Sequence, residues 1–452
     1  MPERNKPISG NILTDSSLDY QFAWRWLLPA ASRQQSIAAF GLSSAEKTFW
    51  QTKGFDTGTA DDNTGLDGLL LNLDNVTIDE LNNLPVTHWV AAWGNGYAVQ
   101  RFQHMLAGFP DQRCYALLPA GQPRVVVPLS SSGAVAAALR LHRPGRKVAR
   151  LALMAVSLLA RFGFYWPLQK KILLIASRQA DFLPCGAVKA GIMPDSAAVD
   201  YALYLGTAEA DRKTVVLPLP LSDRPSIIKY GDNPLACAAL RNEALALNRM
   251  HETLLARQVP AVIGFYDDGA AVSLVQAYRP RRHASPKAMQ HAVQSFLCSL
   301  GKVDASQVTL DGYLAGLQPG TSPAMLDLKN KLELLPGNGS VRLHRSHGDF
   351  APWNCAWTRQ GFFVFDWEAS KAEGLALADA FYYVLAPLLL VQQTDDGEHA
   401  LQAIQAFITP LLVSLGITGD YWKLYLALWL IGQREQPELY CNIASALDKN
   451  WL

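Results

Sequence analysis

The stretch His347–Asn354, with the sequence HGDFAPWN, constrains this chain more than any other part of it. It contains a His-x-Asp and an Asn five residues after that Asp, and a second Asp follows twelve residues beyond the stretch, at position 366. The apolar run Phe362–Phe365 precedes Asp366, which predicts a buried strand with Asp366 emerging at its end. Because only a short loop joins Asp349 to Asn354, we expect both side chains to face one cleft.

These residue types are the ones that phosphoryl transfer from a nucleotide requires. One carboxylate orients the acceptor hydroxyl and accepts its proton, while an amide oxygen and a second carboxylate hold the magnesium ions that neutralise the phosphates. Magnesium prefers hard oxygen ligands, and takes few of them from protein. The spacing therefore predicts Asp349 as the catalytic carboxylate, with Asn354 and Asp366 as metal ligands. A chance His-Gly-Asp in a turn is the alternative, and the presence of all elements in order argues against it.

The segment resembles the catalytic loop and metal-binding Asp of the kinase-like phosphotransferases, the group of aminoglycoside phosphotransferases and choline kinases. The triplet Asp366-Trp367-Glu368 stands where protein kinases have Asp-Phe-Gly. Gly374 and Asp379 match the later glycine and structural Asp of the family. The resemblance covers about residues 190–445, and it implies ATP and magnesium as cofactors. It also implies that His347 braces the loop rather than performing chemistry.

Segments upstream of the loop match the nucleotide-binding parts of this family. Lys229 lies in the β-branched run Ser226–Tyr230, and Glu243 lies in Ala239–Met250, an Ala- and Leu-rich helical segment. The resemblance implies that Glu243 pairs with Lys229 and aims it at the α and β phosphates. The alternative is a surface Lys at a strand end and a solvated helix Glu.

A turn and a hinge complete the predicted nucleotide side. Tyr201–Leu205 and Thr214–Leu217 predict a hairpin whose turn begins with Gly206-Thr207. In the family this turn covers the phosphates, but with a single glycine it is equally consistent with a simple hairpin tip. Gln276 and Tyr278 match the hinge between the lobes, where adenine usually meets backbone groups.

The charge of the chain is distributed unevenly. The formal net charge is +1, which argues against a general nucleic-acid binder. Yet residues 112–180 contain eleven Lys and Arg residues and no Asp or Glu. Such a local excess predicts a surface that attracts anionic partners.

Within this basic segment, Val148–Phe162 predicts a helix that is apolar on most sides. Arg146, Lys147 and Arg150 lie at its start, and aromatic residues and the pair Lys170-Lys171 follow it. It fits equally a buried helix with solvated basic ends and an in-plane contact of residues 140–171 with an anionic membrane surface. We expect Leu153, Met154 and Val156 to face outward, which weakens the helical periodicity.

Cysteine usage and the termini indicate the compartment. The six cysteines are widely spaced without a Cys-x-x-Cys, which predicts neither a zinc site nor a dense disulfide framework and favours a reducing compartment. The N-terminus lacks the apolar core of a signal peptide, and no apolar run reaches the roughly 18 residues of a spanning helix. We therefore expect a cytoplasmic protein, or one peripheral to the inner face of the cell membrane.

Residues 1–185 alternate strand-like and helical segments, which predicts an α/β domain with some parallel pairing. Its candidate strands are Ser36–Phe40, Leu69–Leu73, His88–Trp93 and Arg124–Val127. This outline is similar to that of Rossmann-like transferase domains. No Gly-x-Gly-x-x-Gly follows the first strand, so we favour a degenerate domain over an active nucleotide-cofactor transferase.

Together these features predict an α+β protein. The α/β domain at 1–185 precedes a kinase-like two-lobed fold, with a small β-rich lobe at 186–278 and a large helical lobe at 279–452. The expected activity is ATP- and Mg-dependent transfer of phosphate to a small-molecule hydroxyl. Ala351-Pro352-Trp353 before Asn354 resembles phosphotransferases of cell-surface polysaccharide assembly, which favours a saccharide or lipid-linked glycan acceptor. Two alternatives remain open: a non-catalytic kinase-like scaffold or nucleotide-binding protein, and a bifunctional protein with an active N-terminal transferase.

Overall fold

The protein, described by a computed structural model, divides into two compact units. The helical unit contains Arg241–Val262 and Arg279–Leu452, and the sheet unit contains Ile263–Tyr278 and the described part of Asn5–Leu240. The structure describes residues 18, 21–29, 35–53, 55–56, 66–85, 87–120, 122–141, 147–180, 182–189, 200–206, 212–318, 322–335 and 339–451.

One twelve-stranded sheet organises the sheet unit, in the order β2-β1-β3-β4-β7-β5-β6-β8-β9-β10-β12-β11. Its strands are β1 (Gln35–Phe40), β2 (Phe55–Asp56), β3 (Gly68–Asn72), β4 (Trp89–Gly94), β5 (Asp111–Leu118), β6 (Val125–Pro128), β7 (Ile172–Ser177), β8 (Asp200–Tyr204), β9 (Thr214–Leu219), β10 (Ser226–Gly231), β11 (Val262–Asp267) and β12 (Val272–Ala277). Its helices are α1 (Ser44–Thr52), α2 (Ile78–Asn82), α3 (Gly96–Gln103), α4 (Ser132–Leu139), α5 (Lys147–Arg161) and α6 (Cys185–Lys189).

The pairing changes from parallel to antiparallel across this sheet. Strands β2, β1, β3 and β4 are parallel, whereas every pair for which a register is resolved from β4 through β7, β5, β6, β8, β9 and β10 to β12 is antiparallel. The predicted parallel pairing is confirmed in the first part, and the predicted β8–β9 hairpin in the second. Sequence patterns did not predict β5 and β7, which lie between β4 and β6. The predicted domain boundary at residue 185 stays a prediction, and strands on both sides of it belong to this sheet.

Alternating side chains fill two cores on the opposite faces of the sheet. In β3, Leu70 belongs to one apolar cluster, whereas Leu69 and Leu71 belong to the other. Burial on both faces explains why β3 and β4 read as continuous apolar runs without polar alternation.

Helix α5 presents a different face to solvent from the one predicted. Leu153 and Val156 pack against the apolar cluster on one side of the sheet, and Ala160 is fully buried there. Their predicted outward orientation is therefore wrong, because positions three and four residues apart share one helical face. Met154 is exposed, as predicted. Arg143 and Arg146 lie outside the described residues, as do the side chains of Lys147 and Arg150.

The helical unit consists mainly of helices around two small sheets. The boundary between the units falls within α7 (Pro234–His251). The other helices are α8 (Pro286–Leu300), α9 (Leu310–Gly316), α10 (Pro323–Glu333), α11 (Ala378–Pro387), α12 (Gly397–Leu412), α13 (Tyr421–Ile431) and α14 (Glu438–Trp451), with a π-helical segment at Leu388–Gln392. Strands β13 (Ser306–Thr309), β14 (Ser340–Ser346) and β17 (Lys371–Leu375) form one sheet, and β15 (Cys355–Thr358) and β16 (Gly361–Val364) form a hairpin. The predicted α+β fold class is confirmed, whereas the predicted domain boundary at residue 279 stays a prediction.

None of the helices in the described part of the chain is long and apolar enough to span a membrane.

Candidate active site

The loop between β14 and β15 carries the predicted catalytic residues. Asn354 is buried and donates its side-chain amide to Asp349 twice, to the backbone carbonyl at 2.9 Å and to the carboxylate Oδ2 at 2.8 Å. The two side chains are therefore in direct contact, and the expectation that both face one cleft stays a prediction. Their roles in catalysis and metal binding stay predictions.

His347 is fully buried, and its hydrogen bonds define a neutral imidazole. The backbone N–H of Asp349 donates to Nδ1 at 3.3 Å, so Nδ1 is the acceptor and the ring proton lies on Nε2. Nε2 then donates to the carbonyl of Phe365 at 3.0 Å. The ring also lies 4.7 Å from the ring of Trp367. These contacts tie the loop to the end of β16, which supports the predicted bracing role.

Asp379, at the start of α11, holds the same loop from the other side. Its two carboxylate oxygens accept the backbone N–H groups of His347 and Gly348, at 2.7 and 3.0 Å. Burial raises the pKa of Asp379 to about 6, although both N–H groups act to lower it. The negative charge of Asp349 raises it further. The loop thus depends on a buried carboxylate whose ionisation is unfavourable.

Gly348 is required at its position for two reasons. Its φ of +85° lies in the region that L side chains rarely adopt. A Cβ at this position would also lie 2.1 Å from the backbone oxygen of Ala369. The Gly in His-Gly-Asp therefore permits close approach of two backbone segments.

Asp366 follows β16 in a left-handed conformation, with φ 74° and ψ 57°. The preceding N–H, that of Phe365, donates to the carbonyl of Asn354 at 3.1 Å, so the hairpin brings the two predicted metal ligands close in space. A non-glycine residue held in this region costs of order 1–3 kcal/mol, and such strain concentrates at functional sites.

Asp366 belongs to a cluster of three carboxylates. Oxygen atoms of Glu243, Asp366 and Glu368 all lie within 4.8 Å of one another, and Glu243 is fully buried. Asn242, next to Glu243 on α7, donates to the carbonyl of Glu368 at 2.7 Å and so ties α7 to this segment. An all-oxygen set of this kind fits a hard divalent cation such as magnesium. Glu243 and Glu368 were not among the predicted metal ligands, although Glu368 belongs to the motif that carries the resemblance.

Tyr382 is a site residue that the sequence did not reveal. Burial raises the pKa of its hydroxyl, and the charge of Asp349 and a hydrogen bond to that carboxylate raise it further. Tyr382 lies three residues after Asp379 on α11, so both project from the same helical face toward the loop. Helical spacing from the predicted structural Asp is the one signal that could have identified it.

Of the predicted nucleotide-side residues, Glu243 lies in the helical unit, and the others lie in the sheet unit: Lys229, Gly206, Gln276 and Tyr278. In the register of β10 and β12, Lys229 pairs with Leu274 and Ile227 pairs with Gln276, so Lys229 and Gln276 project from one face of the sheet. Tyr278, two residues beyond Gln276, donates its backbone N–H to Pro225 at 2.8 Å. Gly206 lies two residues after β8 with φ +69°, while Thr207 lies outside the described residues. The predicted pairing of Lys229 with Glu243 stays a prediction.

Gln276 is fully buried with its side-chain amide unsatisfied. Among the residues that the structure describes, neither Oε1 nor Nε2 has a hydrogen-bond partner. An unpaired buried polar group costs about 1–3 kcal/mol, which makes this amide suited to a ligand that offers both a donor and an acceptor, as a nucleobase does.

No protein-family model matches this chain, and no curated protein matches it. Among solved structures, a protein assigned as a fructosamine-3-kinase from Haemophilus somnus is 14% identical, covers 58% of this chain and 94% of its own, and has a TM-score of 0.37. A choline kinase from Streptococcus pneumoniae is 14% identical over 52% of this chain and 88% of its own, with a TM-score of 0.32. An aminoglycoside phosphotransferase from Streptomyces rimosus is 14% identical over 54% and 92%, with a TM-score of 0.30.

The group found among these structures is the one that the motif resembles. At 14% identity and TM-scores below 0.5, the likeness carries no argument about chemistry.

Proposed function

We propose that this protein is an ATP- and Mg-dependent phosphotransferase that acts on a hydroxyl group. The observation that carries the proposal is the placement of Asp349. Its carboxylate receives hydrogen bonds from the Asn354 amide and the Tyr382 hydroxyl, in the unit that also holds the carboxylates of Glu243, Asp366 and Glu368. A carboxylate base and an oxygen-rich cation site within one unit are components that phosphoryl transfer needs.

In the proposed reaction, the oxygen of the acceptor hydroxyl forms a bond to the γ-phosphorus of ATP, and Asp349 accepts the proton of that hydroxyl. The bond between the γ-phosphorus and the oxygen that bridges it to the β-phosphate breaks, and ADP is released. Two neutral donors on Asp349 favour its charged form, which is the form that can accept a proton. A bound magnesium ion would supply positive charge against the phosphate oxygens, and Asp366, Glu368 and Asn354 offer oxygen ligands to hold it. The residues that would bind the nucleotide are Lys229, Gly206, Gln276 and Tyr278.

We further propose a saccharide or lipid-linked glycan of the cell surface as the acceptor. The support is the Ala-Pro-Trp sequence before Asn354 and the acid-free basic segment 112–180, which favours an acceptor that carries or lies beside negative charge.

The test combines two variants with matched binding and transfer assays. Asp349→Asn should abolish transfer from labelled ATP into a cell extract while leaving ATP binding by calorimetry nearly intact, because it removes the base and no metal ligand. Asp366→Asn should also weaken the magnesium-dependent part of ATP binding. Mass spectrometry of the labelled product would identify the acceptor. Asp420→Asn, at an exposed ion pair with Lys423, serves as the control.

Two results would contradict this assignment. Wild-type turnover in Asp349→Asn would remove Asp349 as the base. ATP binding without transfer in any extract would instead favour the non-catalytic, nucleotide-binding alternative.

A further inference from the structure

Helix α5 exposes a continuous apolar stripe. Leu151, Met154, Leu158 and Phe162 follow one another at spacings of three, four and four residues, and Phe164 continues beyond the helix end. Each of these side chains is between 56% and 73% exposed. Because 3.6 residues make one turn, the four helix positions share one face.

The stripe lies opposite the buried face of the same helix. Leu153, Val156 and Ala160 pack on the sheet core, and they are offset from the stripe by about half a turn at 100° per residue. The helix is thus anchored by one face and presents large apolar side chains with the other. Exposed apolar side chains scattered singly are ordinary, whereas a contiguous patch marks a surface that is covered in function.

Cationic side chains border the stripe. Arg161 is exposed at the end of α5, and together with Arg140 it lines a cleft of about 720 Å³. In the described part of the chain, neither guanidinium has a carboxylate within ion-pair distance. The acidic residues of that cleft are engaged elsewhere: Asp111 pairs with Arg113 at 2.7 Å, and Asp200 accepts a hydrogen bond from the backbone of Tyr201.

We propose that α5 docks in the plane of an anionic lipid bilayer, with the apolar stripe in the acyl boundary and the flanking basic side chains on the headgroups. Apolar residues on one side of a helix and uncompensated basic residues around it are the features that interfacial helices combine. This inference does not depend on the proposed activity, since it uses no residue of the catalytic loop.

The charge of the segment around α5 favours an anionic bilayer over a second copy of the chain as the partner of the apolar stripe. A two-fold contact would bring the same surface against itself, and residues 112–180 carry eleven basic residues and no acidic ones. Such a contact would bring together two copies of a segment whose charged residues are all basic. An anionic bilayer instead offers opposite charge at the rim and hydrocarbon beneath the stripe.

The test is flotation of the full chain with vesicles of phosphatidylcholine containing phosphatidylglycerol, and with vesicles of phosphatidylcholine alone. We expect flotation with the anionic vesicles at low salt, less at high salt, and little with the neutral vesicles. Sinking under all conditions would overturn the proposal. Equal flotation with both vesicle types would overturn its electrostatic part.

Two variants locate the contact on α5. The triple variant Leu151→Gln, Met154→Gln and Leu158→Gln keeps good helix formers and should reduce partitioning about tenfold or more. Its control replaces three exposed apolar residues of the helical unit, Leu254→Gln, Leu334→Gln and Val413→Gln, and should float as the wild type does. Equal loss in both variants, or in neither, would contradict the assignment to α5.

The charge variant Arg161→Glu with Lys170→Glu should lose flotation at low salt, whereas Lys47→Glu with Arg101→Glu, exposed elsewhere on the sheet unit, should not. Sedimentation without lipid tests the self-contact. A concentration-dependent dimer that the α5 triple variant abolishes, in a protein that does not float, would assign the stripe to a second copy and overturn the membrane proposal.

Discussion

Asn354 holds Asp349 through two hydrogen bonds from a single amide nitrogen, at 2.9 Å to its backbone carbonyl and 2.8 Å to its carboxylate. Since the nitrogen of the amide is committed to Asp349, the Asn354 oxygen is the atom left to serve a cation. One side chain can therefore position the proposed base and contribute a metal ligand at the same time.

The hydroxyl of Tyr382 should tune the pH dependence of the reaction. Burial raises the pKa of the Tyr382 hydroxyl, and the charge of Asp349 and a hydrogen bond to that carboxylate raise it further. A hydroxyl that donates to a carboxylate favours the ionised carboxylate, and Tyr382→Phe removes this donor. The acid limb of the kcat/KM profile should then move to higher pH by roughly one unit. Tyr383→Phe is the matched control, because Tyr383 stacks on Phe407 and its pKa is raised by burial and by Cys355. Identical profiles for both variants would exclude Tyr382 from a role in positioning the base.

Replacing Gly348 should damage the catalytic loop by a steric clash. In Gly348→Ala the Cβ would approach the oxygen of Ala369 to 2.1 Å, in addition to the strain of φ +85°. Gly361→Ala, in the same unit, introduces a Cβ at φ +103° with nothing within 4 Å. Urea unfolding should show a loss of about 1–2 kcal/mol for the control and a clearly larger loss, with loss of transfer, for Gly348→Ala. Equal losses would mean that the loop can move to relieve the clash.

The buried carboxyl of Asp379 should give folding stability a specific pH dependence. Its pKa rises from 3.8 when exposed to about 6 in the fold, so the native state binds the proton more tightly. Stability from this group is therefore fully present below about pH 4 and falls as pH rises to about 6, by about 3 kcal/mol in total.

Asp379→Asn removes this titration, although its amide can accept only one of the two N–H groups and should lower stability overall. The free energy of unfolding of the wild type minus that of the variant should therefore decrease between pH 4 and pH 6. A difference that is flat or increases over this range would show that Asp379 does not carry the raised pKa.

Replacing Gln276 should raise the stability of the protein and lower its affinity for the nucleotide. Gln276→Met removes an unsatisfied buried amide and keeps the side-chain length, so we expect the ligand-free protein to gain about 1 kcal/mol of stability. ATP affinity measured by calorimetry should fall, because the amide would lose its proposed partner. Leu274→Met, on the same face of β12, is the control and should change neither quantity by much. A gain in stability with unchanged ATP affinity would remove Gln276 from the nucleotide site.

The catalytic loop was predictable because its contacts are local in sequence. Asp349 and Asn354 are five residues apart, and a short loop leaves their side chains few places to go. Tyr382 was not predictable in the same way, because its position depends on how α11 packs over the loop. The proximity of Glu243 to Glu368 likewise depends on the docking of α7, which no local pattern encodes.

The strands of the sheet show the same difference between features that local sequence predicts and features that depend on long-range pairing. Apolar runs predicted β1, β3, β4 and β6, and a strand-period pattern predicted the β8–β9 hairpin. Strand β5 begins with the polar residues Asp111, Gln112 and Arg113, and apolar residues follow them. Because of this polar first half, the sequence pattern did not predict a strand there. The pairing of β6 with β8 joins residues far apart in the chain, which propensity and turn signals do not specify.

The pairing of β6 with β8 determines whether the chain can be divided near residue 185. Val125 and Val126 of β6 are in register with Tyr204 and Leu203 of β8. Cleavage near residue 185 would therefore leave one unpaired edge strand on each fragment. Bare edges of this kind recruit other chains, and both fragments should precipitate or pair promiscuously. Ligand titrations aimed at the N-terminal portion are therefore best made on the intact chain.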